Sequence, residues 1–224
     1  MKTTFKLLLV LVAVSLSLSS FSQKKAKPFR GTVTYDITYD SEEELDEMTK
    51  AQLPTNIITY ISGNKVRTDQ VSAFYSMASI SDFDKGGVII LMDAMGMKIA
   101  MKQEKEDIDK ALSEADMKDP EIKFIDETKM IAGYKCKKAE VTNGEDVVEI
   151  YYTDEFNVPE KINELNGFKG IKGILMEYSM TQQGLTMTMT AKELKAGKVK
   201  GGLFVIPDDY ELKTSEELGG MFGL

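Results

Sequence analysis

The sequence contains no histidine, and this absence limits the chemistry that its side chains could perform. Histidine is the usual general base near neutral pH, and it activates the nucleophile in most serine and cysteine hydrolases. It is also the commonest protein ligand of zinc and copper. The sequence therefore excludes histidine-based triads, and we expect no catalytic residue, no metal ion and no other cofactor.

Carboxylates are abundant, and a pair of them could hydrolyse a glycosidic bond without histidine. The densest group, in residues 42–47, would repel itself in a dry cleft and is typical of a solvated surface. Residues 82–87 (DFDKGG) resemble part of a calcium loop, but the later acidic ligand is missing. Because Asp and Gly also favour turns, a plain turn between two strands explains this segment as well.

The single cysteine, Cys136, is unusual in a chain with export features, because it has no partner for an intrachain disulfide. Its neighbours Lys135, Lys137 and Lys138 would lower a thiol pKa and raise its reactivity. Free cysteine also behaves as a small buried hydrophobe, and this structural role is the favoured interpretation. An enzyme that uses Cys136 or the carboxylates is the third hypothesis, behind a binding protein and a structural or interaction module.

Methionine occurs 14 times, often at two-residue spacing on predicted strands, as in Met187 and Met189. Thioether pairs could bind Cu(I), although no histidine or thiolate supports such a site. Methionine also packs irregular cores and forms adaptable apolar surfaces. The pattern leaves open whether these side chains fill a core or line an apolar cavity.

The periodicity predicts strands with one apolar face. Val33, Tyr35 and Ile37 alternate with polar residues, and the Gly63-Asn64 and Met95-Gly96 pairs are typical of hairpin turns. Residues 160–165 predict a short helix after a proline, and residues 104–117 predict a longer helix over the sheet.

Asn143-Gly144 is the strongest turn signal in the chain. A two-residue hairpin here would place Lys138 opposite Glu149. It would also collect Ala139, Val141, Val148 and Ile150 on one apolar face.

The first 22 residues have the plan of a secretory signal peptide. Lys2 and Lys6 precede a 12-residue apolar stretch, and small residues follow up to Ser22. Cleavage after Ser22 would remove two positive charges and change the net charge from −8 to −10. Such an acidic chain is a poor partner for nucleic acid, and the apolar stretch is too short to span a membrane. A lipid anchor would need a cysteine at the new N-terminus, where Gln23 stands. We therefore expect a periplasmic or secreted protein that does not span the membrane.

Four segments, in order, carry a resemblance to a known family: residues 31–35 (GTVTY), 61–67 (ISGNKVR), 128–137 (TKMIAGYKCK) and 205–210 (VIPDDY). Together they resemble an exported bacterial family known as domain of unknown function 4412 (DUF4412). That family is similar in strand pattern to the periplasmic lipoprotein carriers LolA and LolB. The resemblance implies a curved sheet forming an incomplete barrel, helices that cover it, a periplasmic location and a lipid-like ligand.

The sequence thus predicts a mainly β (α+β) protein: a curved antiparallel sheet or incomplete barrel with a few covering helices, LolA-like. Residues 1–22 form the signal peptide, 23–30 a disordered leader, 31–218 a single β-rich domain and 219–224 a flexible tail. We expect a non-catalytic binding protein that shelters a lipid or other apolar ligand. A structural or protein-interaction module of the cell envelope with a filled core is the alternative, and an envelope protein is then the partner. The predicted cavity lining is Val33, Tyr35, Ile37, Met97, Ile99, Met101, Met187 and Met189.

Overall fold

The structure is a computed structural model that describes residues 27–42, 44–106, 108, 119–144, 146–182, 184–214 and 217. The predicted signal peptide and the predicted tail lie outside these residues, as does most of the predicted helix over 104–117. Lys27–Pro28 form a short strand, whereas the sequence analysis assigns them to a disordered leader.

Strands dominate the described residues, as predicted. They are β1 Lys27–Pro28, β2 Arg30–Ser41, β3 Asn56–Ser62, β4 Lys65–Val71, β5 Tyr75–Asp82, β6 Val88–Ala94, β7 Met97–Gln103, β8 Glu121–Ile131, β9 Tyr134–Asn143, β10 Asp146–Thr153, β11 Phe156–Asn157, β12 Ile174–Gln182, β13 Leu185–Ala196 and β14 Glu211–Lys213. The helices of the described part are α1 Glu47–Gln52, α2 Glu160–Leu165 and a 3-10 helix, Gly201–Phe204.

Twelve strands form one mixed sheet in the order β14-β7-β6-β5-β4-β3-β2-β13-β12-β10-β9-β8. Neighbouring strands in this sheet are antiparallel, except that β14 pairs in parallel with β7. Strands β1 and β11 form a separate parallel pair. Two meanders, β2 to β7 and β8 to β13, are joined where β2 pairs with β13. The sheet is open, with β8 and β14 at its edges. The predicted mainly β architecture with few helices is confirmed.

The predicted tight turns at residues 63–64 and 95–96 are confirmed. Gly63 and Gly96 have positive φ, and Met95 also has a φ of 54°. Both central residues of the 95–96 turn are therefore left-handed, as a type I′ hairpin requires. Methionine bears a steric cost in this region that glycine does not.

The hairpin near residue 144 differs from its predicted register by two residues. Asn143 pairs with Asp146 and so belongs to a strand, and Ala139 lies opposite Ile150. A shift of two residues preserves the face of each side chain, because side chains alternate along a strand. Ala139, Val141 and Ile150 are accordingly fully buried, as the predicted apolar face requires.

The hydrophobic core has two parts. The larger cluster is formed by the inner faces of β2, β9, β10, β12 and β13 with the loop after α2, and includes Val33, Met176 and Met189. The smaller cluster joins β5, β6 and β7 to the 3-10 helix through Leu91 and Phe204. Full burial of such a side chain contributes about 1.5–3 kcal/mol, so these clusters are the main source of stability.

Candidate functional site

A cleft with a volume of about 630 Å³ lies between the sheet and α2. This volume falls within the range of about 300–1,000 Å³ that small-molecule sites occupy. Its walls come from the turn between β5 and β6, the start of β10, the end of β12, α2 with the loop that follows it, and the residues Lys105 and Ile108. The lining residues are Ser81, Phe83, Gly86, Gly87, Val88, Lys105, Ile108, Val147, Val148, Lys161, Glu164, Leu165, Asn166, Gly167, Phe168, Ser179, Met180 and Thr181.

Three large apolar side chains in this cleft are exposed. The exposed fraction is 60% for Val147, 53% for Leu165 and 41% for Met180. They come from three separate elements, β10, α2 and β12. Single exposed apolar residues are ordinary, but several that meet in one concavity mark a binding surface.

The cleft also has a charged rim. Lys161 and Leu165 are four residues apart on α2 and therefore lie on the same helix face. On the opposite wall, the Lys105 side chain packs against Gly86, where an added Cβ would lie 2.8 Å from Lys105 Cδ. With Glu164 as the third charged lining residue, the cleft has two cations and one anion.

A buried asparagine holds α2 against the sheet. Asn163 is fully buried, and its Nδ2 donates to the carbonyl oxygens of Ile171 at 2.8 Å and Gly173 at 3.0 Å. The Asn163 carbonyl accepts from the Phe168 amide at 2.8 Å, which folds the following loop back onto the helix. Phe168 then packs edge-on against Tyr178 of β12, with ring centroids 5.5 Å apart. These contacts fix the wall that carries Lys161 and Leu165.

A second cavity of about 210 Å³ adjoins the cleft, and Asn166 and Met180 line both. Tyr35 and Tyr178 lie in its wall, and the Tyr35 hydroxyl donates to the Leu175 carbonyl at 2.9 Å. Burial raises the pKa of Tyr178 to about 12, so this hydroxyl stays neutral at physiological pH.

The structure brings only some of the predicted cavity residues together. Tyr35, Met187 and Met189 line the smaller cavity. Val33 and Ile37 are buried in the larger core cluster beside them.

The predicted residues on β7 lie elsewhere. Strand β7 is five positions from β2 in the sheet, so Met97, Ile99 and Met101 do not reach this cavity. Ile99 is buried, whereas the Met97 side chain is 51% exposed. The eight residues therefore do not form one surface.

The cleft residues were missed by the sequence reasoning, although one signal was present. Val147 and Val148 are consecutive apolar residues on a strand, so one of them must leave the inner face. The other lining residues lie in several separate short segments, and only the fold brings these segments together.

Cys136 is fully buried. Its Sγ donates to the Tyr134 carbonyl at 3.5 Å, and burial raises the pKa of the thiol. A buried thiol that resists ionisation is a poor nucleophile, which agrees with the structural role favoured by the sequence.

The Asp82–Gly87 segment forms a turn, and its carboxylates have protein partners. The Asp82 carboxylate accepts from the Asp84 amide and pairs with Lys65 at 3.4 Å. The Asp84 carboxylate accepts from the Asn64 side chain at 2.7 Å. Turn geometry therefore explains this motif, and the described residues contain no cluster of three potential metal-ligating acids, cysteines or histidines.

A polar cluster surrounds Tyr151 on the strands near β8. The Tyr151 hydroxyl donates to Glu127, and Lys138 pairs with Glu149 at 2.7 Å. The ammonium group of Lys129 lies 5.1 Å from the Tyr151 ring centroid. The hydrogen bond from Tyr151 lowers the pKa of Glu127, and the same bond raises the pKa of Tyr151. Both pKa values move away from neutrality, which makes this pair poorly suited to proton transfer near pH 7.

Comparison with known proteins identifies the class of this domain. The family model described as "N-glycanase peptide, N-terminal domain" matches residues 37–192. The chain belongs to this family.

Two crystal structures of PNGF-II, in space groups C2 and P21, are similar to this chain. The TM-scores are 0.48 and 0.46, each at 15% identity. The alignments cover 86% and 85% of this chain but only 32% and 33% of the PNGF-II chain, so this chain spans about a third of that protein's length. No curated protein matches the sequence.

The family match corrects two expectations. The resemblance to DUF4412 and to the LolA and LolB carriers is wrong, because the matching family model is that of an N-glycanase domain. The LolA-like assignment of the sheet and the lipid-binding role that rested on it fall with that resemblance. The expectation that the chain is not an enzyme is also wrong, because the family is named for an N-glycanase. The short sequence phrases behind the resemblance are strand and turn segments, which unrelated β proteins share.

Within the described residues, no helix is both long and apolar enough to cross a membrane.

Proposed function

We propose that this chain is an exported domain of the N-glycanase family that binds an apolar ligand in the cleft between its sheet and α2. One observation carries the proposal: exposed Val147, Leu165 and Met180 converge on one concavity of about 630 Å³. Removing such side chains from water contributes roughly 25 cal/mol per Å² of apolar surface, which favours an apolar occupant.

Titration of the whole chain with the neutral fluorescent dye Nile red tests this proposal. We expect saturable binding that weakens about fivefold or more in the Leu165→Gln and Met180→Gln variants. Met130→Gln is the matched control, because Met130 is also exposed but lies on β8 outside the cleft. Binding that never saturates, or that weakens equally in the Met130 variant, would overturn the proposal. A structural or protein-interaction module with a filled core would then be the better description of the domain.

Export is the second part of this proposal, supported by the basic start, apolar stretch and small residues of the first 22 positions. Expression in a Gram-negative host and N-terminal sequencing of the envelope fraction test it. A mature chain that begins at Gln23 is the expected product. A chain that keeps Met1 and stays in the cytoplasm would contradict export.

A second candidate function is a contribution to N-glycan hydrolysis, and the family match over residues 37–192 favours it. Incubation of the purified chain with an N-glycosylated protein, followed by mass spectrometry, tests this candidate. Loss of the glycan mass would support hydrolysis. An unchanged glycoprotein would exclude hydrolysis by this chain alone.

A further inference from the structure

We propose that the cleft ligand is a small amphiphilic anion, with its apolar part among Leu165, Met180 and Val147 and its anionic group at Lys161. This inference rests on the proposed function and adds the chemical class of the ligand. It excludes purely apolar ligands as the preferred occupants.

Two walls of the cleft each carry a lysine and an aliphatic side chain. On α2, Lys161 precedes Leu165 by one helical turn, and both line the cleft. On the opposite wall, Lys105 precedes Ile108, and both of these residues also line it. Each wall therefore presents a cation beside an aliphatic side chain, which matches a ligand with one charged end and one apolar end.

The charge of the cleft lining differs from the charge of the whole chain. The whole chain carries 36 acidic and 28 basic side chains, whereas the cleft carries two lysines and one glutamate. Lys161 is exposed and forms no ion pair within the described part of the chain. Its ammonium group is therefore available to an anion, and entry of the anion separates no existing pair.

The cleft lining also includes two hydroxyl groups, those of Ser179 and Thr181. Ser179 and Thr181 follow each other on one face of β12 at the cleft, on either side of Met180. The Ser179 hydroxyl bonds to that of Thr188 at 2.8 Å and the Thr181 hydroxyl to that of Thr186 at 2.9 Å. One hydroxyl of each pair therefore keeps a hydrogen that it can donate to a carboxylate. Ligand pockets commonly combine an apolar lining with a few such polar groups that fix orientation.

Displacement of Nile red from the whole chain by dodecanoate and by dodecanol tests the inference. These probes share one alkyl chain and differ in charge, and both are used below the concentration at which they aggregate. We expect dodecanoate to bind about two- to fivefold more tightly, the effect of one exposed charge pair. This difference should shrink at high salt, because exposed charges are screened.

The Lys161→Gln variant should weaken dodecanoate binding about two- to fivefold and leave dodecanol binding unchanged. Lys192→Gln is the matched control, since Lys192 is an exposed lysine on β13 outside the cleft. Equal affinity for the two probes, or equal effects of the two lysine variants, would overturn the inference and leave the proposed function standing. Failure of both probes to displace bound dye would also overturn it. Absence of saturable dye binding would instead overturn the proposed function.

Discussion

Asn163 holds the α2 wall of the cleft in place, and its replacement by alanine should lower the free energy of unfolding. The change removes two hydrogen bonds, at 2.8 and 3.0 Å, that Nδ2 donates to buried carbonyl groups. Each bond contributes about 1 kcal/mol net, and a buried carbonyl left without a donor costs about 1–3 kcal/mol. We therefore expect the free energy of unfolding to fall by about 2–4 kcal/mol.

Urea unfolding, followed by tyrosine fluorescence and circular dichroism, measures this loss. Asn56→Ala is the matched control, because Asn56 is exposed and its side chain makes only one long hydrogen bond, of 3.4 Å. That variant should change stability by less than about 0.5 kcal/mol. Equal stabilities of the two variants would refute the reasoning that a polar anchor holds α2. Dye binding by the folded Asn163 variant should also weaken, because Leu165 is on the anchored helix.

Three further predictions concern the backbone and the buried hydroxyl groups. Gly173→Ala should cost more than about 3 kcal/mol in urea unfolding, because its φ is +109° and the new Cβ would lie 2.1 Å from a backbone oxygen of β10. Gly184→Ala, with positive φ but open space, should cost only about 1 kcal/mol. Met95→Asn should stabilise the protein by about 0.5–1 kcal/mol, because asparagine tolerates positive φ better, and an unchanged urea midpoint would contradict this. Burial raises the pKa of Tyr35 and Tyr178 above the value in the unfolded chain, so their stabilising contribution is complete below pH 10 and is lost as pH rises towards 12. Tyrosinate absorbance that appears fully at pH 10 in the folded protein would refute this last prediction.

Local pattern predicted most strand positions because burial alternates along a strand. Val33, Tyr35 and Ile37 were assigned to one face from alternation alone, and all three are buried. The hairpin after Val141 shows the limit of this reasoning. Ala139, Val141 and Ile150 are buried as predicted, but the strand register is shifted by two residues. The hydrophobic pattern cannot detect such a shift, because an even shift leaves each side chain on the same face.

Long-range pairing could not be predicted from local pattern. Strand β2 pairs with β13 through partners such as Ile37 and Met189, more than 150 residues apart. The parallel pairing of β14 with β7 is also non-local, because more than 100 residues separate Met101 from its partner Lys213. Periodicity defines which face of a strand is buried, but it does not identify the neighbouring strand.

Polar contacts anchor the α2 wall of the cleft, in addition to the packing of Ile162 against the larger core cluster. Asn163 ties α2 to the loop that precedes β12, so the helix needs no apolar side chain in the cleft to stay attached. Leu165 can then remain exposed, which a purely structural helix would avoid. All of the lining residues also lie between positions 37 and 192, within the segment that matches the N-glycanase family. The cleft therefore belongs to the part of the chain that matches this family. Testing the Leu165→Gln variant in both the dye titration and the glycoprotein assay shows whether the cleft serves ligand binding, glycan hydrolysis or both.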